Sequence, residues 1–254
     1  MKHLRLEVIG IDGLPEIETG FCIGELIVVA CIEQGTPIIG GDILIVTQKI
    51  VSKSEGQLVD LNEINPSYFA ERFSAASNRD PRLVELVLRE SRNVIRADIN
   101  RGILITETKH GFICANAGID SSNIIGDNIV SLLPDDPDKS ARLIRSDVKK
   151  ACGVDVPVII TDTFGRPWRE GHINFAIGLS GIDPFRDHRG LPDATGRIMS
   201  VTRIAEADEI AAASELVMSK SIGVPAAVVR GHIYSRSNEG SGQLLRDKTN
   251  DLFR

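Results

Sequence analysis

Three short apolar runs constrain the fold of this chain more than any other feature. They read DILIVT at residues 42–47, VPVIIT at 156–161 and AAVV at 226–229, and each is rich in small or β-branched residues. Runs of this length and composition are typical of strands that are buried on both faces. The helical segments between them do not alternate strictly with strands, which favours an α+β fold over a doubly wound parallel sheet.

Capping and turn residues predict where several further elements begin and end. In RDPRLVELVLRESRNVI, Asp80 suits the capping position and Pro81 the first turn, so the whole stretch is predicted as one helix. Another helix is predicted to end at Gly153, because glycine readily adopts the left-handed conformation that follows a helix. The remaining predictions are a strand at residues 4–9, a helix at 24–33 with an apolar stripe of Leu26, Val29 and Ala30, a helix in NPSYFAERFSAA, a hairpin of strands 103–106 and 112–115, a strand at 199–204 and a helix at 208–218.

Composition and charge exclude several classes of protein. The 254 residues contain no low-complexity linker and no internal repeat, so a single folded unit is expected over residues 1–254. A net charge of −6 argues against a general nucleic-acid-binding protein. The four cysteines lack the spacing of a zinc site or a disulfide framework and are expected to be reduced. With no signal-peptide core and no apolar run that could span a bilayer, the sequence predicts a cytoplasmic protein without a membrane partner.

The loop NAGIDSSN, residues 116–123, is the first polar cluster that follows an apolar strand. Asp120 lies in it beside Ser121, Ser122 and Asn123, and such a loop can supply hard oxygen ligands and backbone donors. An ordinary turn stabilised by an Asp or Asn side chain would have the same composition. The pattern alone leaves both interpretations open.

The second cluster, TDTFGRPWRE, begins where the apolar run at residues 156–161 ends. Asp162 lies between two threonines, and a carboxylate with hydroxyl neighbours suits Mg²⁺ or Mn²⁺, ions that accompany phosphate substrates. Arg166 and Arg169 could hold a phosphate or a carboxylate through paired hydrogen bonds. The alternative is an aspartate that caps a helix, with the two arginines on the surface.

Two further loops carry lysine next to serine and glycine. TQKIVSKSEG contains Lys49 and Lys53, and MSKSIGVP contains Lys220. Neither loop has the spacing of a Walker A or protein-kinase phosphate loop, so each is a weak phosphate signal or a solvated turn. The five histidines show no metal spacing, and the sequence contains no nucleophile elbow. The residues alone therefore indicate an α+β protein, with phosphate binding and metal dependence both as open options.

Taken in order, several motifs resemble one enzyme family. They are GLPEI, KIVSKSEG, CANAGIDSSN, LLPDDPDKSA, TDTFGRPWREG, INFAIGLSGI, TRIAEADEIAAASELVM and GVPAAVVRG, and the likeness covers residues 9–231. The chain is similar to the coenzyme F420-0:L-glutamate ligase family, also called F420:γ-glutamyl ligase. NAGIDSSN together with TDT-x-GR is the most specific part of the likeness. GRPWREG looks closer to the ligase half of the bacterial two-domain enzymes, and because the sequence stops at Arg254, no nitroreductase-like domain and no flavin are expected.

The resemblance implies a GTP-dependent ligase that adds L-glutamate to F420-0 and then extends a γ-linked glutamate tail. GTP would activate the terminal carboxylate as an acyl phosphate, the amine of glutamate would attack it, and GDP and phosphate would leave. Mg²⁺ or Mn²⁺ is implied, with K⁺ as a further candidate, and phosphoryl transfer does need cations that bridge phosphate oxygens. The implied fold is a family-specific α+β arrangement in an intertwined homodimer.

The resemblance also implies roles for individual residues. Asp120, Asp162 and Thr163 would hold the metal, and Lys53 would pair with phosphate. Asp120, Asp162 and Lys53 are therefore the predicted catalytic residues. The residues predicted to contact the nucleotide are Leu14, Pro15, Glu16, Ile17, Gln48, Lys49, Lys53, Asn123, Met218, Ser219, Lys220, Ser221, Ile222, Gly223 and Val224.

Four residues are harder to place by resemblance. At least one of Arg166 and Arg169 is predicted to bind the anionic glutamate or the phosphate of F420-0. Trp168 is expected to pack the loop, with stacking on the deazaflavin as the alternative. In the archaeal form the segment that closes over the nucleotide carries a glutamate that helps to hold a second metal, and Lys220 stands there in this chain. An ammonium group cannot ligate a metal, although it can pair with a phosphate oxygen.

Two other functions stay open at this stage. One is an amide ligase that acts on another phosphodiester-linked or folate-like carboxylate. The other is a non-catalytic nucleotide-binding protein that regulates a partner. The retained acidic positions and Lys53 argue against the second.

Overall fold

The computed structural model describes residues 5–122, 124, 126–218 and 221–252, and these residues form a mixed fold of helices and β-sheets. Asn123, Ser219 and Lys220, which are predicted to contact the nucleotide, lie outside the described residues. The helices are α1 (Ile23–Glu33), α2 (Gln48–Ser54), α3 (Tyr68–Ser77), α4 (Pro81–Arg89), α5 (Pro137–Cys152) and α6 (Glu206–Ser214). The strands are β1 (Glu7–Ile11), β2 (Ile43–Thr47), β3 (Leu58–Asp60), β4 (Ser91–Asp98), β5 (Ile103–Thr108), β6 (Ile113–Ala115), β7 (Ile129–Ser131), β8 (Val158–Arg166), β9 (Arg169–Ser180), β10 (Arg186–Asp187), β11 (Arg203–Ile204) and β12 (Ala226–Arg230).

A five-stranded sheet in the order β1-β12-β2-β8-β9 forms the centre of the molecule. β2 and β8 run parallel, whereas the other neighbouring strands are antiparallel. The three apolar runs of the sequence are its inner strands β12, β2 and β8, so each is buried on both faces, as predicted. A single parallel pair in this sheet confirms that the fold is mixed rather than doubly wound.

Helices cover both faces of the central sheet. Leu44 and Val46 of β2 pack in the layer that contains α1 and α5, and the alternate residues Ile43 and Ile45 pack in the layer that contains α6. The α5 layer lies very close to the sheet: a β-carbon on Gly178 of β9 would lie 2.4 Å from the carbonyl oxygen of the first residue of α5. Because both faces are covered, the ends of the strands are the places where the sheet meets solvent.

Residues 58–131, which follow α2 and precede α5 in the sequence, form a smaller lobe. In this lobe α3 and α4 pack on the sheet β4-β5-β6 around Phe73, Val84 and Leu104. The predicted cap of α4 is confirmed, since the Asp80 carboxylate accepts a hydrogen bond of 2.8 Å from the backbone N–H of Arg82. The chain leaves β6 through a turn and returns towards the central sheet, which is how the lobe contributes to the site described below.

Other predicted elements are also confirmed. The predicted hairpin is present, with β5 and β6 overlapping the predicted strands and pairing antiparallel, and Gly153 ends α5 with a φ of 77°. All four cysteines are free thiols. None of the helices in the described part of the chain combines the length and the hydrophobicity needed to cross a membrane.

Three predicted helix features are wrong. α4 ends at Arg89 and the rest of RDPRLVELVLRESRNVI is strand β4, because pairing with β5 overrides the helical pattern. In α1, the predicted stripe is wrong at Val29, which is 51% exposed, whereas Ala30 is buried and Leu26 packs against the core. The buried face also includes Ile23, Ile27 and Val28. The helix predicted at 208–218 begins at Glu206 and ends at Ser214. Helix α2 occupies most of TQKIVSKSEG, which the sequence predicts as a loop.

Three predicted strand boundaries are wrong as well. The strand predicted at 4–9 corresponds to β1, which begins at Glu7 and ends at Ile11. The strand predicted at 199–204 is reduced to Arg203–Ile204. β8 continues past the apolar run to Arg166, because its polar residues pair with β9 in a long hairpin. Asp162 therefore lies inside a strand, not after one and not at a helix cap.

Candidate functional site

A cleft of about 440 Å³ opens at the edge of the central sheet where β2 ends and β12 begins. Its size is that of a site for a nucleotide or a molecule of similar size. Its walls come from five parts of the chain. The lining residues are, in order, Leu14, Pro15, Glu16 and Ile17; Thr47, Gln48, Lys49, Ile50 and Lys53; Asp120; Thr161, Asp162 and Thr163; and Glu215, Met218, Ser221, Gly223, Val224 and Pro225.

Unequal strand lengths place the polar residues of β8 in this cleft. β2 pairs with β8 as far as Thr47 and Thr161, after which β2 turns directly into α2. β8 continues, so Asp162 and Thr163 lie beside the space that β2 no longer fills. The carboxyl ends of parallel strands are common ligand-binding positions.

The smaller lobe supplies Asp120 to the same cleft. Its backbone N–H donates to the carbonyl of Ser131 at 3.2 Å, and the Ser131 N–H donates to the Asp120 carbonyl at 2.9 Å. The preceding turn is left-handed at Asn116 and Ala117, with φ values of 53° and 54°, which few residues other than Gly adopt without strain. This turn and the pairing with β7 hold Asp120 in a lining that it shares with Asp162.

Asp120 accepts hydrogen bonds from a lysine and a serine. Lys49 Nζ lies 2.8 Å from Asp120 Oδ2, and Ser122 donates its N–H to Oδ1 at 2.7 Å and its hydroxyl to Oδ2 at 2.9 Å. Burial raises the pKa of Asp120, but the hydrogen bonds and charge of Lys49 and the bonds from Ser122 outweigh it and hold that pKa below its usual value. The carboxylate is therefore charged at neutral pH.

A chain of hydrogen bonds runs from Asp162 across the hairpin to α6. The backbone N–H of Thr163 donates to Asp162 Oδ1 at 2.8 Å, and the Thr163 hydroxyl donates to Asn174 Oδ1 at 2.6 Å. Asn174 Nδ2 then donates to Glu215 Oε2 at 2.9 Å. Because the hydrogen of the Thr163 hydroxyl is committed to Asn174, its lone pairs are directed elsewhere and can only accept or ligate.

The donor set of the cleft fits a hard divalent cation. Asp120, Asp162 and the threonine hydroxyls offer oxygen ligands of the kind that Mg²⁺ and Mn²⁺ prefer. The hydroxyl of Thr161 is buried in the lining and has no hydrogen-bond partner among the described residues. Within the described ranges, no three His, Cys, Asp or Glu residues converge closely enough to hold a metal alone. Such a site suits Mg²⁺, which commonly takes one or two carboxylates and completes its shell with water and substrate phosphate.

A second cleft of about 520 Å³ adjoins the first. It is lined by Gly118 and Ile119 on one side and by Phe164 and His172 of the β8–β9 hairpin on the other. Asp120, Asp162, Thr163 and Glu215 line both clefts and so form their common boundary. Two molecules bound in the two clefts would meet at these four residues.

The tip of the β8–β9 hairpin lies apart from both clefts. Arg166 and Arg169 pair with each other across the tip, neither lines a described cleft, and Arg166 donates to the carbonyl of Gly171 at 3.2 Å. Trp168 is 86% exposed and has a left-handed φ of 64°, so the expectation that it packs the loop is wrong. The tip therefore projects into solvent.

The structure brings most of the predicted nucleotide residues together. Ile222 is the exception among the described ones, because it does not line the cleft and is 68% exposed. Lys53, the predicted phosphate partner, contacts the carboxylate of Glu16 in the cleft. Thr161, one of the two threonines that flank Asp162 in the sequence, also lines the cleft, whereas sequence reasoning missed Glu215. A signal for Glu215 was available in Asn174, a polar residue inside the apolar run INFAIG.

Comparison with known proteins identifies the family to which this chain belongs. The family model F420-0:Gamma-glutamyl ligase matches residues 12–231. A protein named Coenzyme F420:L-glutamate ligase from Methanothermobacter thermautotrophicus is 43% identical over 99% of this chain and 100% of its own length. Proteins of the same name from Methanopyrus kandleri and Methanocaldococcus jannaschii are 41% and 38% identical, over 100% and 98% of this chain and 99% and 97% of their own lengths. The chain therefore belongs to the F420-0:gamma-glutamyl ligase family of enzymes.

Proposed function

We propose that this chain joins L-glutamate to coenzyme F420-0 in a reaction that consumes GTP and requires Mg²⁺ or Mn²⁺, and that it extends a γ-linked tail in later cycles. One observation carries the proposal: Asp120, Asp162, Lys49 and Lys53 converge on one cleft in a chain of this family. The names of the relatives support the two substrates. Potassium as a further ion remains a prediction of the resemblance, and a cytoplasmic location remains a prediction of the sequence.

The lysines would bind the phosphates of the nucleotide. Each lysine contacts a carboxylate in the cleft, Lys49 that of Asp120 and Lys53 that of Glu16. In the proposal, phosphate oxygens replace the carboxylates as partners of both lysines, and a divalent cation replaces Lys49 as the partner of Asp120. The carboxylate of Glu16, whose side chain is exposed, is left to water. When bound, the cation neutralises charge that develops on the transferred phosphoryl group.

Asp162 and Thr163 would face the cation from the other wall. Asp162 is fixed by the backbone N–H of Thr163 at 2.8 Å, and the hydroxyl of Thr163 is directed by Asn174. Apolar side chains of Leu14 and Ile17 line the same cleft and would limit the access of water to the phosphates. This arrangement holds the reacting groups without covalent participation by the protein, as phosphoryl transfer requires.

The proposed intermediate is an acyl phosphate. A carboxylate oxygen of F420-0 attacks the γ-phosphorus of GTP and GDP leaves. The amine of glutamate then attacks the acyl carbon, an amide bond forms, and phosphate leaves. The two adjoining clefts give these two events a common boundary at Asp162 and Glu215.

We also propose that the chain acts as a homodimer. Support comes from the resemblance and from exposed apolar side chains between β10 and β11, where Ile198 is 59% and Val201 is 84% exposed. Exposed apolar groups of this kind are commonly covered at interfaces. Light scattering on the purified protein should give twice the mass of one chain, and a monomer at all concentrations would refute this part of the proposal.

A product mass spectrum tests the proposed reaction. Purified protein is mixed with F420-0, L-glutamate, a divalent cation and either GTP or ATP. We expect products heavier by one or more glutamyl residues with GTP, and none when the cation is removed. Tight binding of GTP without any product would favour a nucleotide-binding regulator instead.

Substitution of Asp162 tests the assigned role in the cleft. Asp162→Asn should lower turnover at least about 100-fold, because stabilisation of transferred phosphoryl charge by a bound cation is worth several kcal/mol. Asp98→Asn is the matched control, since it removes a carboxylate from β4 in the smaller lobe. Full activity of Asp162→Asn would remove this residue from the catalytic site.

A further inference from the structure

Glu215 is the one acidic residue at the boundary of the two clefts that the sequence did not indicate. It follows α6 directly and is half-buried. It lines the first cleft beside Thr163 and the second cleft beside His172. A charged group in this position faces both molecules that a two-substrate reaction would bring together.

Asn174 holds Glu215 in a defined orientation. The Asn174 side chain is buried, with 1% exposed, and both ends of its amide are used. A carboxylate accepts hydrogen bonds, so the Asn174 NH₂ group must face Glu215 and its oxygen must face the Thr163 hydroxyl. Glu215 Oε2 is therefore fixed, and the rest of the carboxylate is presented to the clefts.

Glu215 differs from two other acidic residues of the first cleft, Asp120 and Glu16, each of which pairs with a lysine. Lys49 pairs with Asp120 at 2.8 Å and Lys53 pairs with Glu16. Among the described residues, no Lys, Arg or His forms an ion pair with Glu215. A partly buried carboxylate in this position attracts a cationic group from solution.

We propose that Glu215 binds the ammonium group of the incoming amino acid at the boundary of the two clefts, and that Asn174 is the positioning residue for it. The inference rests on the proposed function. An amino acid carries an ammonium group at neutral pH, and its nitrogen must lie next to the activated carboxylate before it can attack. Glu215 faces both clefts and so meets this requirement.

Two measurements separate a role of Glu215 in binding the amino acid from a role in forming the acyl phosphate. They are the kinetics with glutamate and the trapping of the acyl phosphate. Hydroxylamine, which is largely uncharged at neutral pH, traps acyl phosphates as hydroxamates and needs no ammonium site. Glu215→Gln should raise the KM for glutamate about tenfold or more, since the ammonium group would then meet a neutral amide oxygen in place of a charged carboxylate. Hydroxamate formation in the absence of glutamate, the KM for GTP and the affinity for Mn²⁺ should change less than about twofold, which is within the effect of an ordinary surface substitution.

Two further variants complete the design. Asn174→Asp keeps an acceptor for the Thr163 hydroxyl but replaces the donor to Glu215 with a second carboxylate. Because Glu215 then loses the hydrogen bond that orients it, the KM for glutamate should rise while the KM for GTP stays constant. Glu209→Gln is the matched control, because Glu209 lies on α6, is exposed and lines neither cleft. Thermal unfolding of each variant shows whether the fold is kept.

Three outcomes would overturn the inference. Equal loss of amide and hydroxamate in Glu215→Gln, or a loss of Mn²⁺ affinity, would place Glu215 in the activation step. An unchanged KM for glutamate would exclude it from substrate binding. A wild-type protein that forms neither product would refute the proposed function itself, and the inference with it.

Discussion

Replacement of Thr161 by valine should stabilise the protein and weaken its binding of nucleotide at the same time. The Thr161 side chain is buried in the lining of the first cleft, and its hydroxyl has no hydrogen-bond partner among the described residues. Valine has nearly the same shape but carries a methyl group where threonine has the hydroxyl. Thr161→Val therefore removes a buried polar group that the fold itself does not use.

The two effects have opposite signs and can be estimated separately. A buried hydroxyl without a partner costs about 1–3 kcal/mol, so its removal should raise the free energy of unfolding by about 1 kcal/mol. For a chain of this size that corresponds to an increase in Tm of about 2–4 °C. If the hydroxyl donates to a phosphate or ligates a cation, its loss should weaken binding by about 1.5–3 kcal/mol, or roughly 10- to 100-fold.

Scanning calorimetry of the ligand-free protein and titration calorimetry with GTP and Mg²⁺ measure the two quantities. Thr106→Val is the matched control, because Thr106 is a buried threonine of β5 whose hydroxyl also has no partner among the described residues and which lines neither cleft. The control should gain stability without a change in affinity. A lower Tm for Thr161→Val, or unchanged affinity for GTP, would refute the reasoning.

Three other predictions concern stability and the hairpin tip. The Arg145 guanidinium donates a hydrogen bond of 2.7 Å to Asp155, and this outweighs burial and holds the pKa of Asp155 below its usual value. Asp155 therefore stabilises the folded protein fully at a pH above its pKa in the unfolded state, and this stabilisation is lost as the pH falls through its pKa in the folded state. Denaturant unfolding of Asp155→Asn should therefore show a deficit of up to about 1 kcal/mol at neutral pH that vanishes in acid, and a deficit independent of pH would contradict this. Gly178→Ala should cost about 1–3 kcal/mol in the same assay, because its β-carbon would lie 2.4 Å from a backbone oxygen of α5, whereas Gly40→Ala, with no atom within 4 Å, should cost little. The fluorescence of Trp168, the only tryptophan in the chain, should resemble that of free tryptophan in water and be quenched by iodide; protection that grows with protein concentration would show that the tip enters an interface between copies.

The inner strands of the fold could be predicted because their signal is local. A run such as DILIVT is apolar without alternation, and this composition is stable only where both faces of a strand are covered. Strand β4 could not be predicted in the same way. Most of its residues are exposed, so no alternation marks it, and only the pairing with β5 separates it from the end of α4.

The site could be predicted in part for a similar reason. Asp120 and Asp162 belong to clusters of polar residues that interrupt apolar stretches, and such clusters are visible in one sequence. Glu215 follows an ordinary amphipathic helix, and nothing local distinguishes it from the acidic residues nearby. Its importance arises from a hydrogen bond to Asn174, which lies on a different element of the fold.

β8 shows how one strand can supply both core and site. Residues 158–160 are fully buried between two helical layers, and Thr161 is the last residue that pairs with β2. Past that point β9 continues to satisfy the backbone of β8 on one side, so the strand can extend without an apolar covering on the other. The side chains of Asp162 and Thr163 are thereby held by a sheet and yet reach a cleft. Had β2 been longer, it would have filled the space in which these residues meet Asp120 and Glu215, so the early turn from β2 into α2 is what makes a site possible here.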